Sequence, residues 1–189
     1  MSERGELRAC GPCSLCCTVL RVDELRKLGG SPCAHQRAGG GCSIYERRPG
    51  ICRAYRCLWL AGGLRDDDRP DLLGAVLDVV SSGASAWLEI REAAPGSFAR
   101  SARLQEIARE YRDSMPVRIS DTADVLDPDR RFRVLLPGGE ERIVAGELTT
   151  LVRPGRPDTT VRLPRLERWL RRIGLAFRRW RVAGYHDAR

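Results

Sequence analysis

The chain has 189 residues, a formal net charge of +8 at pH 7 and an apolar fraction of 42%. This apolar content excludes a disordered chain, and the length allows one medium domain or a small module joined to a second one. Because no stretch approaches the ~20 apolar residues of a membrane helix and the first residues lack the apolar run of a signal peptide, we expect a cytoplasmic location.

The first predicted unit, residues 1–62, contains all eight cysteines together with many glycines and prolines. Such a composition predicts an irregular cysteine-rich module with little regular structure. Apolar residues at a three-residue repeat predict one short helix over 18–28. Pro49 is placed to begin a second short helix, because proline is tolerated at the first helical position.

The second predicted unit, residues 63–160, has the alternation typical of strands. Segments 73–80 and 86–91 flank a turn and predict a hairpin, and segments 132–136 and 142–144 predict another. Between them, 99–112 has the spacing of an amphipathic helix and 117–119 that of a short strand. Helices and antiparallel hairpins in separate stretches indicate the α+β class, with the cysteine-rich module packed against the strand-rich region and amphipathic helices.

The third predicted unit, residues 161–189, is a basic amphipathic helix with nine arginines and two acidic residues. Its apolar stripe has spacings of three and four and consists of Leu166, Trp169, Leu170, Ile173, Phe177 and Trp180. We expect this stripe to dock on the body or on a protein partner, leaving the arginines exposed. Binding of nucleic acid or an anionic membrane through the helix is the alternative, and only its charge favours it.

The cysteines form a pattern that chance does not readily produce. They are Cys10, Cys13, Cys16, Cys17, Cys33, Cys42, Cys52 and Cys57. Cytosolic thiols are kept reduced, so the pattern indicates metal binding rather than disulfides. Zinc sites and iron–sulfur clusters both take four thiolates. Eight donors complete two such sites, or one site with several spectators.

The spacing of the first cysteines favours iron–sulfur over zinc. The C-x2-C-x2-C run is similar to the bacterial ferredoxin arrangement, which predicts a [4Fe-4S] cluster, although the usual continuation is missing. The distal cysteines lack the paired spacing of a structural zinc site, but zinc remains the alternative. Adjacent side chains in an extended chain point to opposite sides, so we expect Cys17 to serve a second site or none.

Arginines and tyrosines lie beside the distal cysteines. We expect the guanidinium of Arg53 to offset the negative charge of a thiolate-ligated centre, and the ring of Tyr55 to shield that centre from water. The alternative is that they are an ordinary exposed arginine and a packing tyrosine. Both are candidate cofactor-binding residues.

A family resemblance rests on the runs CGPCSLCC, SPC and GCSIYERRPGICRAYRC. Together they resemble the CxxCxxCC cysteine-cluster family, often called YkgJ-like, which is described as a zinc- or iron-chelating domain. The resemblance covers Cys10 to Cys57 and implies that all eight cysteines are metal-chelating positions. Some larger relatives are associated with protein lysine methylation and contain an iron–sulfur cluster, but this sequence has no methyl-donor motif.

These observations predict a cysteine-ligated metal-binding protein, with an iron–sulfur cluster in a redox or modifying-enzyme role. The alternative is a zinc-stabilised interaction module without catalysis. The sequence leaves open whether the protein is an enzyme.

Overall fold

The computed structural model describes residues 8–120 and 131–185, and within them the fold is α+β, with one seven-stranded sheet. The strands are β1 (Ala75–Ser82), β2 (Ser85–Glu92), β3 (Val117–Ser120), β4 (Arg131–Leu135), β5 (Glu141–Ala145), β6 (Leu148–Arg153) and β7 (Arg156–Arg162). The α-helices are α1 (Leu15–Val19), α2 (Gly50–Ala54), α3 (Pro70–Leu73), α4 (Ser97–Arg100), α5 (Ala102–Arg112) and α6 (Arg165–Arg181).

The strands lie in the sheet in the order of the sequence. All neighbouring pairs are antiparallel except β2 and β3, which are parallel with Leu88 opposite Val117. Parallel neighbours need a crossover connection, and α4 with α5 supplies it. The mixed sheet therefore follows from one helical crossover inserted between hairpins.

The hydrophobic core lies between α5 and the first three strands. Helix α5 contributes Leu104, Ile107 and Ala108, all fully buried. They pack on side chains from strands β1, β2, β3 and β4, together with Phe98 from α4: Ala75, Leu77, Leu88, Ile90, Val117, Ile119 and Leu135. The Ser101 side chain caps α5 by accepting a hydrogen bond from the Leu104 amide.

Strand β1 has two buried faces. Side chains alternate along a strand, so Ala75 and Leu77 enter the core beneath α5 while Val76 points to the other side. Val76 is also fully buried, because the cysteine-rich segment covers that face. The outer edge of β1 is covered as well, since the Leu58 amide donates to the Leu77 carbonyl at 2.8 Å.

Several predicted elements are confirmed. The hairpins correspond to β1 with β2 and to β4 with β5, the predicted strand to β3, and the helix over 99–112 to α5 with α4 before it. Pro49 directly precedes α2, a short helix that ends at Ala54. Strands β6 and β7 are additional, and both lie in a stretch of threonines and arginines without a strong apolar alternation.

The predicted helix over 18–28 is wrong. Helix α1 ends at Val19, and Val22 then pairs with Lys27 as an isolated bridge around a single 3-10 turn. Arg26 adopts a left-handed backbone with φ of 50°, which reverses the chain. The apolar repeat reflects burial of Val19 and Val22 rather than a continuous helix.

Docking of the basic helix on the body through its apolar stripe is wrong, whereas docking on a protein partner stays a prediction. Helix α6 forms as predicted, but the six stripe residues are 49–71% exposed. The side facing the body is polar instead: Arg168 donates to the Glu147 carboxylate at 3.2 Å, and Arg171 donates to the Gly146 carbonyl. No helix among residues 8–120 and 131–185 is long and apolar enough to cross a membrane.

A buried ion pair joins the segment after the cysteines to α5. Asp68 is 2% exposed and accepts two hydrogen bonds from Arg103, at 2.8 and 2.7 Å. The same carboxylate accepts from the Arg65 amide at 3.1 Å. Hydrogen bonding from Arg103 lowers the pKa of Asp68, so the stabilisation is present at neutral pH and is lost as the pH falls through that lowered value.

Replacing Asp68 with alanine should lower the free energy of unfolding by about 2 kcal/mol, because the Arg65 amide and Arg103 lose a shared acceptor. Arg103 keeps its hydrogen bond to Glu106 at 2.7 Å, so its charge stays paired. The neighbouring Asp67 is exposed, so Asp67→Ala should change stability by less than about 0.5 kcal/mol. Urea unfolding of both variants at neutral pH checks the difference. Equal stability of the two variants would contradict the structural role of the pair.

Candidate metal centre

Four of the eight cysteines line one small cavity on the outer face of β1. Cys10, Cys13 and Cys16 come from the loop and the first turn before and within α1, and Cys57 follows α2. The cavity has a volume of about 20 Å³, and its remaining wall consists of Trp59, Leu60, Pro70 and Val76. The three cysteines of the C-x2-C-x2-C run and the remote Cys57 therefore lie around one cavity.

Polar contacts fix the walls of this cavity. The Cys13 amide donates to the Cys10 carbonyl at 3.0 Å, which closes the first turn of the run. The Cys13 thiol lies within hydrogen-bonding reach of Asp71 in α3. Burial raises the pKa of the Cys13 thiol and of the Cys57 thiol. Hence these thiols must give up protons to bind a cation, and binding weakens as the pH falls.

The other four cysteines form a second group around Cys52. The Cys33 amide donates to the Cys17 carbonyl at 3.1 Å. Burial raises the pKa of the Cys52 thiol, and the nearby thiols of Cys17, Cys33 and Cys42 raise it further. The eight cysteines thus divide into a first set (Cys10, Cys13, Cys16, Cys57) and a second set (Cys17, Cys33, Cys42, Cys52).

The two sets meet at the adjacent residues Cys16 and Cys17. A hydrogen bond between their thiols lowers the pKa of Cys17 to about 7 and raises the pKa of Cys16. The hydrogen bond therefore favours the thiolate form of Cys17, which is the form that ligates metal.

Lys27 supplies a buried positive charge to the second set. Its side chain is 4% exposed, and its ammonium donates to the carbonyls of Thr18 and Leu20. Burial lowers the pKa of Lys27, whereas the neighbouring thiols of Cys33 and Cys17 raise it. An ammonium in this position compensates thiolate charge.

Arg48 adds a second cation between the sets. Its guanidinium lies 3.9 Å from the centre of the Tyr45 ring, and the Cys10 and Cys42 thiols interact with its charge. Its Nε is buried and has no hydrogen-bond partner within the described residues. Arg48 therefore has a donor that the protein leaves unused beside the thiols.

The two candidate cofactor-binding residues differ in their placement. Tyr55 is largely buried; burial raises the pKa of its phenol, the Asp78 carboxylate raises it further, and the Cys57 and Cys16 thiols act on it as well. It therefore lies beside the first set. The Arg53 side chain is exposed on α2 and has no polar contact in the part of the chain that the structure describes.

Sequence reasoning did not find the roles of Lys27 and Asp71. Lys27 is the one lysine in a chain rich in arginine, and this rarity is the signal that marks it. The proximity of Asp71 to Cys13 has no sequence signal, because 57 residues separate them and only the fold brings α3 to the cavity.

The donor set fits a thiolate-ligated group in number and in surroundings. Four thiols share each place, as both zinc and iron–sulfur groups require, and two cations adjoin them. Among residues 8–120 and 131–185, no three Cys, His, Asp or Glu side chains already stand in the arrangement of a finished ion site. Each set is therefore a group of neighbouring thiols rather than a completed coordination sphere.

Comparison of the chain with family models, with curated proteins and with solved structures finds no match.

One glycine controls how closely two cysteine-bearing loops approach. Gly40 has φ of +89°, and a Cβ there would lie 2.2 Å from the Pro12 carbonyl oxygen, between Cys10 and Cys13 in sequence. Nothing lies within 4 Å of a Cβ at the neighbouring Gly39. Only glycine at position 40 allows the backbone of this loop to pack against the first cysteines.

We expect Gly40→Ala to lower the stability of the cysteine-rich segment by at least about 2 kcal/mol, from left-handed strain and the backbone clash together. The Cys10 and Cys13 thiols should then react faster with iodoacetamide, measured by peptide mass spectrometry. Gly39→Ala is the matched control and should leave both rates unchanged. Equal labelling of the two variants would contradict the close loop contact.

Proposed function

We propose that this protein binds metal through its two sets of four cysteine thiolates. The observation that supports this most directly is the gathering of Cys10, Cys13, Cys16 and Cys57 around a single cavity. These residues span 48 positions of the chain, so their meeting depends on the fold and not on local sequence. All eight cysteines are free thiols, which fits a reducing compartment such as the cytoplasm.

A shortage of apolar burial supports the same proposal. Between residues 8 and 62, Val19 and Val22 are the only large hydrophobic side chains that are fully buried among those described. So small a core rarely stabilises a segment alone, and structural metals commonly compensate. Metal bound to thiolates contributes ~10 kcal/mol or more to folding in small domains.

For the bound group, the C-x2-C-x2-C run with a remote Cys57 favours an iron–sulfur cluster in the first set. When bound, such a cluster supplies one-electron transfer, which is the basis of the proposed redox or modifying-enzyme role. The buried ammonium of Lys27 and the free donor of Arg48 are placed to stabilise the negative charge of ligating thiolates. A relationship to the CxxCxxCC family belongs to the same proposal.

Zinc is the second candidate, and the four thiols around one cavity are compatible with it, because zinc takes four tetrahedral thiolates. Zinc would make the segment a structural interaction module, since this metal has no redox chemistry.

The two sets should lose metal independently. Cys57→Ser should remove the metal of the first set and Cys52→Ser that of the second, so each variant should retain about half of the wild-type content, and the double variant almost none. Metal per chain is measured by plasma mass spectrometry after anaerobic purification. Ala54→Ser, an exposed change two residues from Cys52, is the control and should retain full content.

Complete loss in both single variants would show one shared site and contradict the division into sets. Full retention in both would contradict thiolate ligation altogether. The same preparations separate the two candidate groups: a brown protein with broad visible absorption and iron identifies a cluster, and a colourless protein with stoichiometric zinc identifies the second candidate.

A further inference from the structure

The outward face of α6 is an apolar stripe with no cover within the described residues. Its six side chains recur at spacings of three and four, so they form one continuous line along the helix. Exposure ranges from 49% at Ile173 to 71% at Trp180. Phe177 and Trp180 contact each other along this line, with ring centres 5.8 Å apart. The stripe contains six of the thirteen exposed large hydrophobic residues among those described.

Polar contacts hold the helix in this orientation. On the opposite side, Arg168 pairs with Glu147 at 3.2 Å, and Arg171 bonds the adjacent Gly146 carbonyl. Val182, just after the helix, is buried, at 7% exposed. Because these contacts fix the inner side, the stripe faces outward without any rearrangement of the fold.

Exposed arginines flank the stripe along both of its edges. Residues seven apart lie on nearly one line of a helix, so Arg165, Arg172 and Arg179 follow one edge. Arg178 and Arg181 follow the other edge, and all five side chains are exposed. An apolar line bordered on both sides by cations is the arrangement of a helix that lies in a membrane interface.

We propose that α6 binds the surface of an anionic lipid membrane, with its stripe inserted at the boundary between headgroups and acyl chains. The flanking arginines would then contact lipid phosphates at headgroup level, where their long side chains reach outward. Trp169 and Trp180 are 11 residues apart, about 16 Å along the helix, which places a tryptophan near each end of the stripe. Tryptophan is enriched at such interfaces because its ring is amphipathic.

Other binding partners would complement only part of this surface. A second copy of the chain would cover the apolar stripe but would bring ten exposed flanking arginines together, five from each copy. A nucleic acid would pair with the arginines but would leave two tryptophans and a phenylalanine in water. An anionic bilayer covers the apolar line and neutralises both edges at once. The proposal does not depend on the cysteine sets.

The test measures partition of the full chain into vesicles by flotation. We expect binding to vesicles in which about a third of the lipid is anionic phosphatidylglycerol, weak binding to pure phosphatidylcholine, and weakening by salt. Trp169→Ala with Trp180→Ala should lower the partition coefficient at least about 100-fold, because two large apolar side chains are lost. Arg178→Gln with Arg179→Gln should lower it about 25-fold.

The matched control removes exposed apolar side chains elsewhere: Leu72→Ala with Val79→Ala, at 66% and 42% exposure, should change partition less than about twofold. Absence of wild-type binding to the anionic vesicles would overturn the proposal. Unchanged binding by the tryptophan variant would also overturn the proposal, because the contact would then be purely electrostatic and open to any polyanion. A dimer in analytical ultracentrifugation that the tryptophan substitutions dissociate would assign the stripe to a second copy instead.

Discussion

The alternation of side chains along β1 is the constraint on which the rest of the structure depends. Ala75 and Leu77 enter the core beneath α5, and Val76 between them forms the floor of the cavity that four cysteines share. A shift of one residue in the pairing with β2 would exchange these faces and place Val76 in the core. The position of the first cysteine set is therefore coupled to the register of the hairpin.

The cysteine-rich segment and helix α6 are both held to the rest of the protein by polar contacts. The cysteine-rich segment is held by Arg8, which donates to the carbonyls of Trp59 and Leu64 and pairs with Asp66, and by the contact of Asp68 with Arg103. Helix α6 is held through Glu147 and Gly146. Apolar burial is concentrated around α5, which leaves the thiols on one side and the stripe on another.

Much of the fold follows from sequence patterns, because strand alternation and helical spacing are local properties. The hairpin of β1 and β2, helix α5 and helix α6 were all predictable in this way. The helix over 18–28 was not, because the same apolar spacing is compatible with the tight reversal at Arg26. The orientation of α6 depends on a carboxylate supplied by another element, Glu147, and no pattern within the helix encodes it. The division of the eight thiols was not predictable from the sequence. The expected separation of Cys17 from Cys16 assumed an extended chain, whereas both residues lie in α1 and their thiols share a hydrogen bond. The meeting of Cys57 with the first set requires the fold.

We propose that metal bound to the cysteines takes the place of a hydrophobic core in residues 8–62. Hydrogen exchange of the metal-loaded protein, before and after complete removal of metal by a chelator, would show whether it does. We predict that amides of residues 8–62 lose their protection while those of α5 and of strands β1, β2 and β3 retain it, since the latter share the apolar core. Unchanged exchange in residues 8–62 after complete metal removal would contradict the account.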